Sequence, residues 1–304
     1  MGLPLEPRHW VLVVFIASAL YVHLRGTVRF GIVRALTDFT VLIAPVNALM
    51  YLFSRTPRTA YIDQKDFPEL ELLNQNWEII RDEAMALADE GQIRAASGYN
   101  DLGFNSFFRT GWKRFYLSWY GKELPSAAAT CPRTLALLKQ IPSIKAAMFA
   151  SLPPGATLVR HRDPYAGSLR YHLGLVTPND PNCFIDVDGQ RYHWKDGEAV
   201  MFDETFIHHA ANKTDHQRVV LFCDIERPLW GAPMRGLNRL FARHVMAAAS
   251  SQNVEGEGVG VLNQLFSGFY QLRLKAKQLK DYNSRLYYLL KWVAILGLLW
   301  WLFW

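Results

Sequence analysis

Cysteine is scarce in this sequence: three in 304 residues (Cys131, Cys183 and Cys223), none in a C-x-x-C pair. Three thiols cannot all pair, which excludes a small disulfide scaffold. A reducing compartment, with the thiols as small core residues, fits best. Charged residues are also few, 20% of the chain against 50% hydrophobic and 13% aromatic, which excludes a disordered chain and a collagen-like repeat. No internal repeat is present, and the length implies one or two domains rather than an array. Neither sign of charge dominates. The 33 Lys plus Arg against 27 Asp plus Glu leave +6, enough to favour anionic partners without naming one. No nucleic acid and no obligate protein partner is expected.

What is abundant is apolar sequence at the two ends. Residues 10–24 (WVLVVFIASALYVHL), 38–54 (DFTVLIAPVNALMYLFS) and 287–304 (YYLLKWVAILGLLWWLFW) each fall slightly short of the roughly 20 apolar residues a spanning helix needs. The first and last reach that length if Leu3 or the flanking aromatics are counted. The middle one holds Pro45 and Asn47, so a re-entrant or interfacial hairpin fits it as well as a span. A cleaved signal peptide fits the first poorly, because Arg8 is its only early charge and arginines rather than an A-x-A site follow it. Arg25, Arg29 and Arg34 follow the first segment and Arg55 and Arg58 the second. Arg273, Lys275, Lys277, Lys280, Arg285 and Lys291 come at the last one. The positive-inside rule then predicts anchors at both ends with everything between them in the cytoplasm, and Trp300, Trp301 and Trp304 in the far interface. The basic run reads as a membrane-surface patch more readily than as a solvated helix face.

The middle of the chain predicts a soluble domain. Leu70, Leu73, Trp77, Ile80, Ala84 and Leu87 recur at helical spacing, so residues 66–92 form one amphipathic helix, with Pro68 and Glu69 at its start and Gly91 at its end. A Gly- and aromatic-rich loop leads to a strand at 113–119, and a shorter helix follows at 132–140. From 147 to 226 the pattern changes to short strands broken by P-G and D-G turns: AMFASL, ATLVRH, SLRYHLGLV, CFIDV, QRYHW, AVMFD and RVVLFCDIE. Such a series indicates an antiparallel sandwich or barrel. The Gly- and Ser-rich residues 250–260 read as a flexible joint to a C-terminal helix.

One strand carries a conflict. In SLRYHLGLV, Leu169, Tyr171, Leu173 and Leu175 share one face, and Arg170 and His172 share the other. That second face is either solvated or lines a polar cavity. His161 and Asp163 sit two residues apart, so both can point one way at a strand end. His208 follows later in an all-strand segment, and Arg218 opens RVVLFCDIE. Two imidazoles and a carboxylate on one face of a metal form the facial triad of non-haem Fe(II) oxygenases. An arginine on a neighbouring strand can hold a carboxylate bidentately. His209 competes with His208, but adjacent strand residues face opposite ways, so only one can bind. His193 and His216 follow turns and read as surface residues, and Asp186 and Asp188 as turn formers.

These residues carry a family resemblance. The stretches HRDPYAGSLRYHLGLVTPND and FDETFIHHAANKTDHQRVVLFCDIERP resemble the aspartyl/asparaginyl β-hydroxylase branch of the Fe(II)/2-oxoglutarate dioxygenases. Within it, the chain is most similar to the bacterial enzymes that hydroxylate lipid A, and GFNSFFRTGWKRFYLSWYG and the terminal apolar segments extend that similarity. The resemblance implies a mainly β core, a double-stranded β-helix or jelly roll, with flanking helices and membrane segments at both ends. It implies His161, Asp163 and His208 as metal ligands, with no catalytic residue beyond the metal centre. Arg218 would clamp the distal carboxylate of 2-oxoglutarate, with Arg170 and His172 assisting. The animal protein hydroxylases of the branch carry Gly where Asp163 stands. Their cosubstrate-binding Ser falls on Ala150 here, with Ser151 adjacent as the candidate contact.

The implied cofactors are Fe(II), 2-oxoglutarate and O2, with ascorbate as reductant in assays. The implied activity is hydroxylation at C2 of a fatty acyl chain of lipid A, in the bacterial inner membrane with the catalytic domain cytoplasmic. The expected divisions are an anchor at 1–59, the dioxygenase domain at 60–232, a basic helical connector at 233–286 and a transmembrane segment at 287–304. Two alternatives stand beside this. One is hydroxylation of an Asp or Asn side chain of a protein. The other is a membrane-bound zinc hydrolase using the same ligands, which lacks an H-E-x-x-H base and gives Arg218 no task.

Overall fold

Strands build the core of the computed structural model, which describes residues 7–35, 38–95, 101 and 103–303. Eleven form: β1 (Tyr61–Ile62), β2 (Lys113–Trp119), β3 (Lys122–Glu123), β4 (Ile144–Leu152), β5 (Thr157–His161), β6 (Ser168–Val176), β7 (Cys183–Val187), β8 (Gln190–His193), β9 (Ala199–Phe202), β10 (His208–Asn212) and β11 (Arg218–Glu226). They build one sheet in the order β1-β9-β6-β11-β4-β2-β3 and a second in the order β5-β10-β7-β8. From β4 onward the chain changes sheet at every step except β7 to β8. That alternation is the winding of a jelly roll, the fold the family resemblance implied and one of the antiparallel sandwiches or barrels the strand pattern allowed. The β7–β8 hairpin turns on Asp188 (φ 52°) and Gly189 (φ 86°), the left-handed pair that a D-G turn supplies. Asp186 accepts the Gly189 amide at 3.0 Å, so both aspartates act in the turn as expected. β10 was not separable in the sequence from the strand before it.

Helices cover the outside. The expected helix at 66–92 is broken into α5 (Glu71–Gln75) and α6 (Trp77–Asp89), after four short N-terminal helices described next. Asn76 sits at the break, where its side chain bonds the Leu72 carbonyl at 2.8 Å and competes with the helical ladder. Leu70, Leu73, Ile80, Ala84 and Leu87 of this stretch are buried in the main core, as their spacing implies. Further on come α7 (Asn105–Phe108), α8 (Pro125–Thr130), α9 (Pro132–Leu138), α10 (Ala232–Phe241), α11 (Val261–Tyr282) and α12 (Ser284–Phe303).

Residues 250–260 correct another expectation. Ser250, Ser251 and Asn253 are buried, and Asn253 clamps both backbone groups of Tyr116 on β2 at 2.7 and 2.8 Å. Composition alone reads such a segment as a joint. Here its polar side chains are spent on the edge of the sheet.

The terminal segments also depart from expectation. The N-terminal helices are α1 (Pro7–Leu24), α2 (Ile32–Ala35), α3 (Phe39–Leu42) and α4 (Ala44–Leu52). Among the described residues no helix is long and apolar enough to cross a membrane. The expected membrane segments, the inner-membrane placement and the orientation drawn from them are thereby overturned. The physical reasons are local. An 18-residue helix such as α1 is about 27 Å long at 1.5 Å per residue, below the about 30 Å of a hydrocarbon core. The middle apolar stretch is two short helices whose Thr40, Asn47 and Met50 are fully buried. Arg285 and Lys291 fall inside α12. Trp304 lies outside the described residues.

The N-terminal segment is locked onto the strands by a buried charge triad. Asp203, fully buried after β9, is 2.5 Å from Arg25 and 2.9 Å from Arg227. Burial alone would raise the Asp203 pKa, but the Arg227 and Arg25 charges overcome it and hold the carboxyl below its usual range. A depressed carboxyl contributes stability that is full above the unfolded pKa of about 4 and is lost as pH falls below it. Asp203→Asn leaves two buried guanidiniums uncompensated and is expected to cost about 3–5 kcal/mol. Urea unfolding at neutral pH measures it, and the gap between variant and wild type should narrow as the pH drops below about 4.

Candidate metal centre

His161 is the last residue of β5 and His208 the first of β10, and these neighbouring antiparallel strands pair the two residues directly. Their ring centroids are 4.2 Å apart. Asp163, just past β5, places a carboxylate oxygen 3.9 Å from His161 Nε2. One ligand atom from each of the three lies within 4.8 Å of the others, so all can reach one ion. Each imidazole is oriented by its own backbone. Nδ1–H of His161 donates to the Val159 carbonyl at 2.7 Å, and Nδ1–H of His208 to the Phe206 carbonyl at 2.9 Å. A carbonyl only accepts, so the proton sits on Nδ1 and Nε2 of both rings is free for a metal.

His209 faces the other way, partly exposed, with its ring 6.0 Å from Phe184. The strand alternation therefore selects His208. Burial lowers the pKa of both inward imidazoles, His208 to about 3, and keeps them in the neutral form that metals bind. Burial would raise Asp163, but Arg170 and the two imidazoles bring it down to about 2.

Arg170 has a different task from the one expected. Its guanidinium lies 2.8 Å from Asp163 and 3.0 Å from Asp224, and it also contacts Glu204. One cation thus serves three carboxylates. Burial pushes the carboxyls of Glu204 and Asp224 upward, against the pull of Arg170. Asp224 is directly opposite Arg170 in the β6–β11 register, and Tyr120 donates to it at 3.0 Å. Arg170 holds the carboxylate of the candidate ligand Asp163 in place and is itself already paired. Asp224 was detectable as the acid inside the apolar run of RVVLFCDIE, whose other acid, Glu226, ends the strand. Glu204, in a turn, carried no signal.

The three candidate ligands border one cavity. Phe104, Phe107, Leu158, Ile185 and Phe222 form an apolar wall, and His172, Trp194 and Arg218 bring polar atoms to the lining. On β4 the lining residue is Ala150, and Ser151, although buried, is not part of it, because successive strand residues alternate faces. The face of β6 carrying Arg170 and His172 therefore meets a cavity and not solvent.

Arg218 is buried with its guanidinium 4.4 Å above the Trp194 ring. No carboxylate pairs with it among the described residues, and burial lowers its pKa to about 10. Arg218 Nε, Trp194 Nε1 and both ring nitrogens of His172 are buried without a hydrogen-bond partner. Buried polar atoms are ordinarily satisfied. An unpaired cation with neighbouring N–H donors fits a carboxylate ligand, and the residues present suit a dicarboxylate beside a metal. Trp194 was missed in the sequence, where an aromatic at a strand end reads as core. Nothing local reveals that its N–H lacks an acceptor.

Residues 74–228 match the family described as Aspartyl/Asparaginyl beta-hydroxylase. The chain is 44% identical over 131 residues to an ornithine lipid ester-linked acyl 2-hydroxylase of Rhizobium tropici, covering 42% of this chain and 46% of that protein. It is 27% identical over 161 residues to the human aspartyl/asparaginyl beta-hydroxylase, covering 51% of this chain and 21% of that protein. A crystal structure of a Pseudomonas putida prolyl-4-hydroxylase aligns with a TM-score of 0.33 at 19% identity, over 51% of this chain and 88% of that one. The jelly-roll assignment rests on the strand order itself. The chain spans less than half the length of the curated relatives it matches here.

Proposed function

Because this chain belongs to the aspartyl/asparaginyl β-hydroxylase family, a family of hydroxylases, we propose that it is an Fe(II)- and 2-oxoglutarate-dependent dioxygenase that hydroxylates C2 of a fatty acyl chain of lipid A. The observation that carries the reading is one cavity holding both a His-Asp-His cluster and a buried arginine with no counter-ion. The cluster needs a cation and Arg218 needs an anion. The assignment to an acyl chain rests on the apolar wall beside His161 and on the similarity to an ester-linked acyl 2-hydroxylase.

His161, Asp163 and His208 would hold Fe(II), and with 2-oxoglutarate and O2 the iron supplies the oxidising power that places one oxygen on carbon while 2-oxoglutarate becomes succinate and CO2. Arg218 takes the distal carboxylate of 2-oxoglutarate through its planar fork. His172, kept neutral by burial with Arg170 and Arg218 nearby, and the Trp194 N–H fix its orientation. Phe107, whose ring centroid is 4.5 Å from that of His161, keeps water from the ligand side. The catalytic unit is taken as residues 60–232, with 233–286 as a connector. Zinc hydrolysis would leave the unpaired Arg218 without a role.

The purified chain with Fe(II), 2-oxoglutarate, O2 and ascorbate is expected to release succinate and to add one oxygen atom to an acyl chain of lipid A, detected by mass spectrometry with the position read from fragment ions. Ornithine lipid and an Asp/Asn-containing peptide are run in parallel. Oxygen on ornithine lipid alone would change the lipid, and oxygen on the peptide alone would establish side-chain hydroxylation instead.

A further inference from the structure

The apolar stretch at 38–54 contains one residue no membrane reading explains, Asn47. It is fully buried in α4, and its amide grips the chain just beyond the metal centre. Nδ2 donates to the Pro164 carbonyl at 2.7 Å, and Oδ1 accepts from the Ala166 amide at 2.9 Å. Asp163 is the residue immediately before Pro164. Arg162, between the two candidate ligands, is held by the same segment. Its Nε is 3.3 Å from Asp38 in an ion pair, and its NH1 donates to the Val22 carbonyl at 3.2 Å. Arg34 of α2 donates to the carbonyl of Arg160.

These contacts fall where the strand domain has least hold of its own. β5 is the edge strand of the four-stranded sheet, so β10 alone pairs with it. Past His161 the ladder ends, and among the described residues the strand domain holds the backbone of 162–166 only through the Asp163 amide on the Glu204 carbonyl at 2.9 Å and through Arg227, which donates to the Ala166 carbonyl. A ligand pair astride such a strand end needs support from outside the sheet.

We infer that Val22, Arg34, Asp38 and Asn47 brace the loop 160–166 that carries the candidate ligands, and that Asn47 is its principal positioning residue. The inference rests on the metal-centre reading above, and it gives the N-terminal helices a task in the site itself. Asn47 touches no ligand atom and acts through the backbone that sets where Asp163 lies. Second-sphere partners of this kind are typically worth about 10–100-fold in metal affinity.

The test uses the full chain and two readouts, calorimetric titration with Mn(II) and amide hydrogen exchange over 160–167. Asn47→Ala should weaken Mn(II) binding at least about tenfold and accelerate exchange in this loop, with the 2-oxoglutarate requirement unchanged because Arg218 lies on β11. Asn47→Asp keeps the acceptor for Ala166 and loses the donor to Pro164, so it should fall between; it serves if the alanine variant does not fold. Asn253→Ala is the control, removing another buried two-point backbone clamp, at Tyr116; it should lower stability and leave Mn(II) affinity alone. Wild-type affinity and loop exchange in a folded Asn47 variant, or an equal affinity loss in Asn253→Ala, would overturn the brace. A wild-type chain that binds no Mn(II) or Fe(II) would overturn the metal-centre reading, while the exchange arm still decides whether Asn47 holds the loop.

Discussion

Asp163→Ala is expected to abolish iron binding and hydroxylation, a loss beyond the about 100-fold that an outer-sphere change can cost. Asp163 brings the only anionic donor of the three candidate ligands, and its carboxyl stays ionised because Arg170 lies 2.8 Å away. Removing it deletes that anionic donor, together with the contact through which Arg170 positions it, and leaves two neutral imidazoles to hold the cation. His161→Ala and His208→Ala should be as damaging, since each removes an Nε2 oriented by a backbone carbonyl. His209→Ala should keep substantial activity, because that ring points away from the cavity. Metal titration and succinate release measure all four. A dead His209→Ala beside an active His208→Ala would reverse the ligand assignment.

Arg218→Lys should raise the 2-oxoglutarate concentration needed for turnover tenfold or more. A charge-assisted hydrogen bond is worth about 1.5–3 kcal/mol, and lysine keeps the charge but loses the planar fork. Arg218→Met sharpens the result. Arg218 forms no internal ion pair among the described residues, so replacing it by an apolar side chain relieves a buried cation and should leave the thermal midpoint unchanged or raised. 2-Oxoglutarate should raise that midpoint in the wild type and not in Arg218→Met, since only a ligand that binds the native state stabilises it. An equal shift in both proteins would place the carboxylate clamp elsewhere, with His172 and Trp194 the nearest polar groups.

The legible parts of this protein share one property: each is periodic or local. Strand alternation in SLRYHLGLV put Arg170 and His172 on one face, and the structure turns that face to the cavity. The same alternation separated His208 from His209. The D-G pair named the β7–β8 turn. The order of H-x-D, a later histidine and an arginine opening the next strand named residues that the structure gathers around one cavity. Ser151 shows the limit of the method, since a one-residue offset along a strand exchanges the inner face for the outer one, and Ala150 has the inner position.

Other features depended on partners distant in the chain. An apolar helix face reads identically whether lipid or protein covers it. The sequence could therefore mark this end of the chain as apolar, but not that Val22, Ala44, Met50 and Tyr51 pack with Ala166 and Leu229 while most of α1 stays exposed. Arg170 reads as a ready cation until Glu204 and Asp224 are brought to it by β9's turn and by β11. Trp194 reads as core until its N–H is found without an acceptor. Residues 250–260 read as a joint until Asn253 meets Tyr116. By itself, the sequence determined that short strands build the core and what the candidate ligands are chemically, because side-chain periodicity and donor type are properties of short stretches; the winding came from the pairing of distant strands. Only the tertiary structure decided which charges neutralise one another and which remain open for a cation and a carboxylate. Coulombic pairing and desolvation depend on distances between segments that the chain order does not contain.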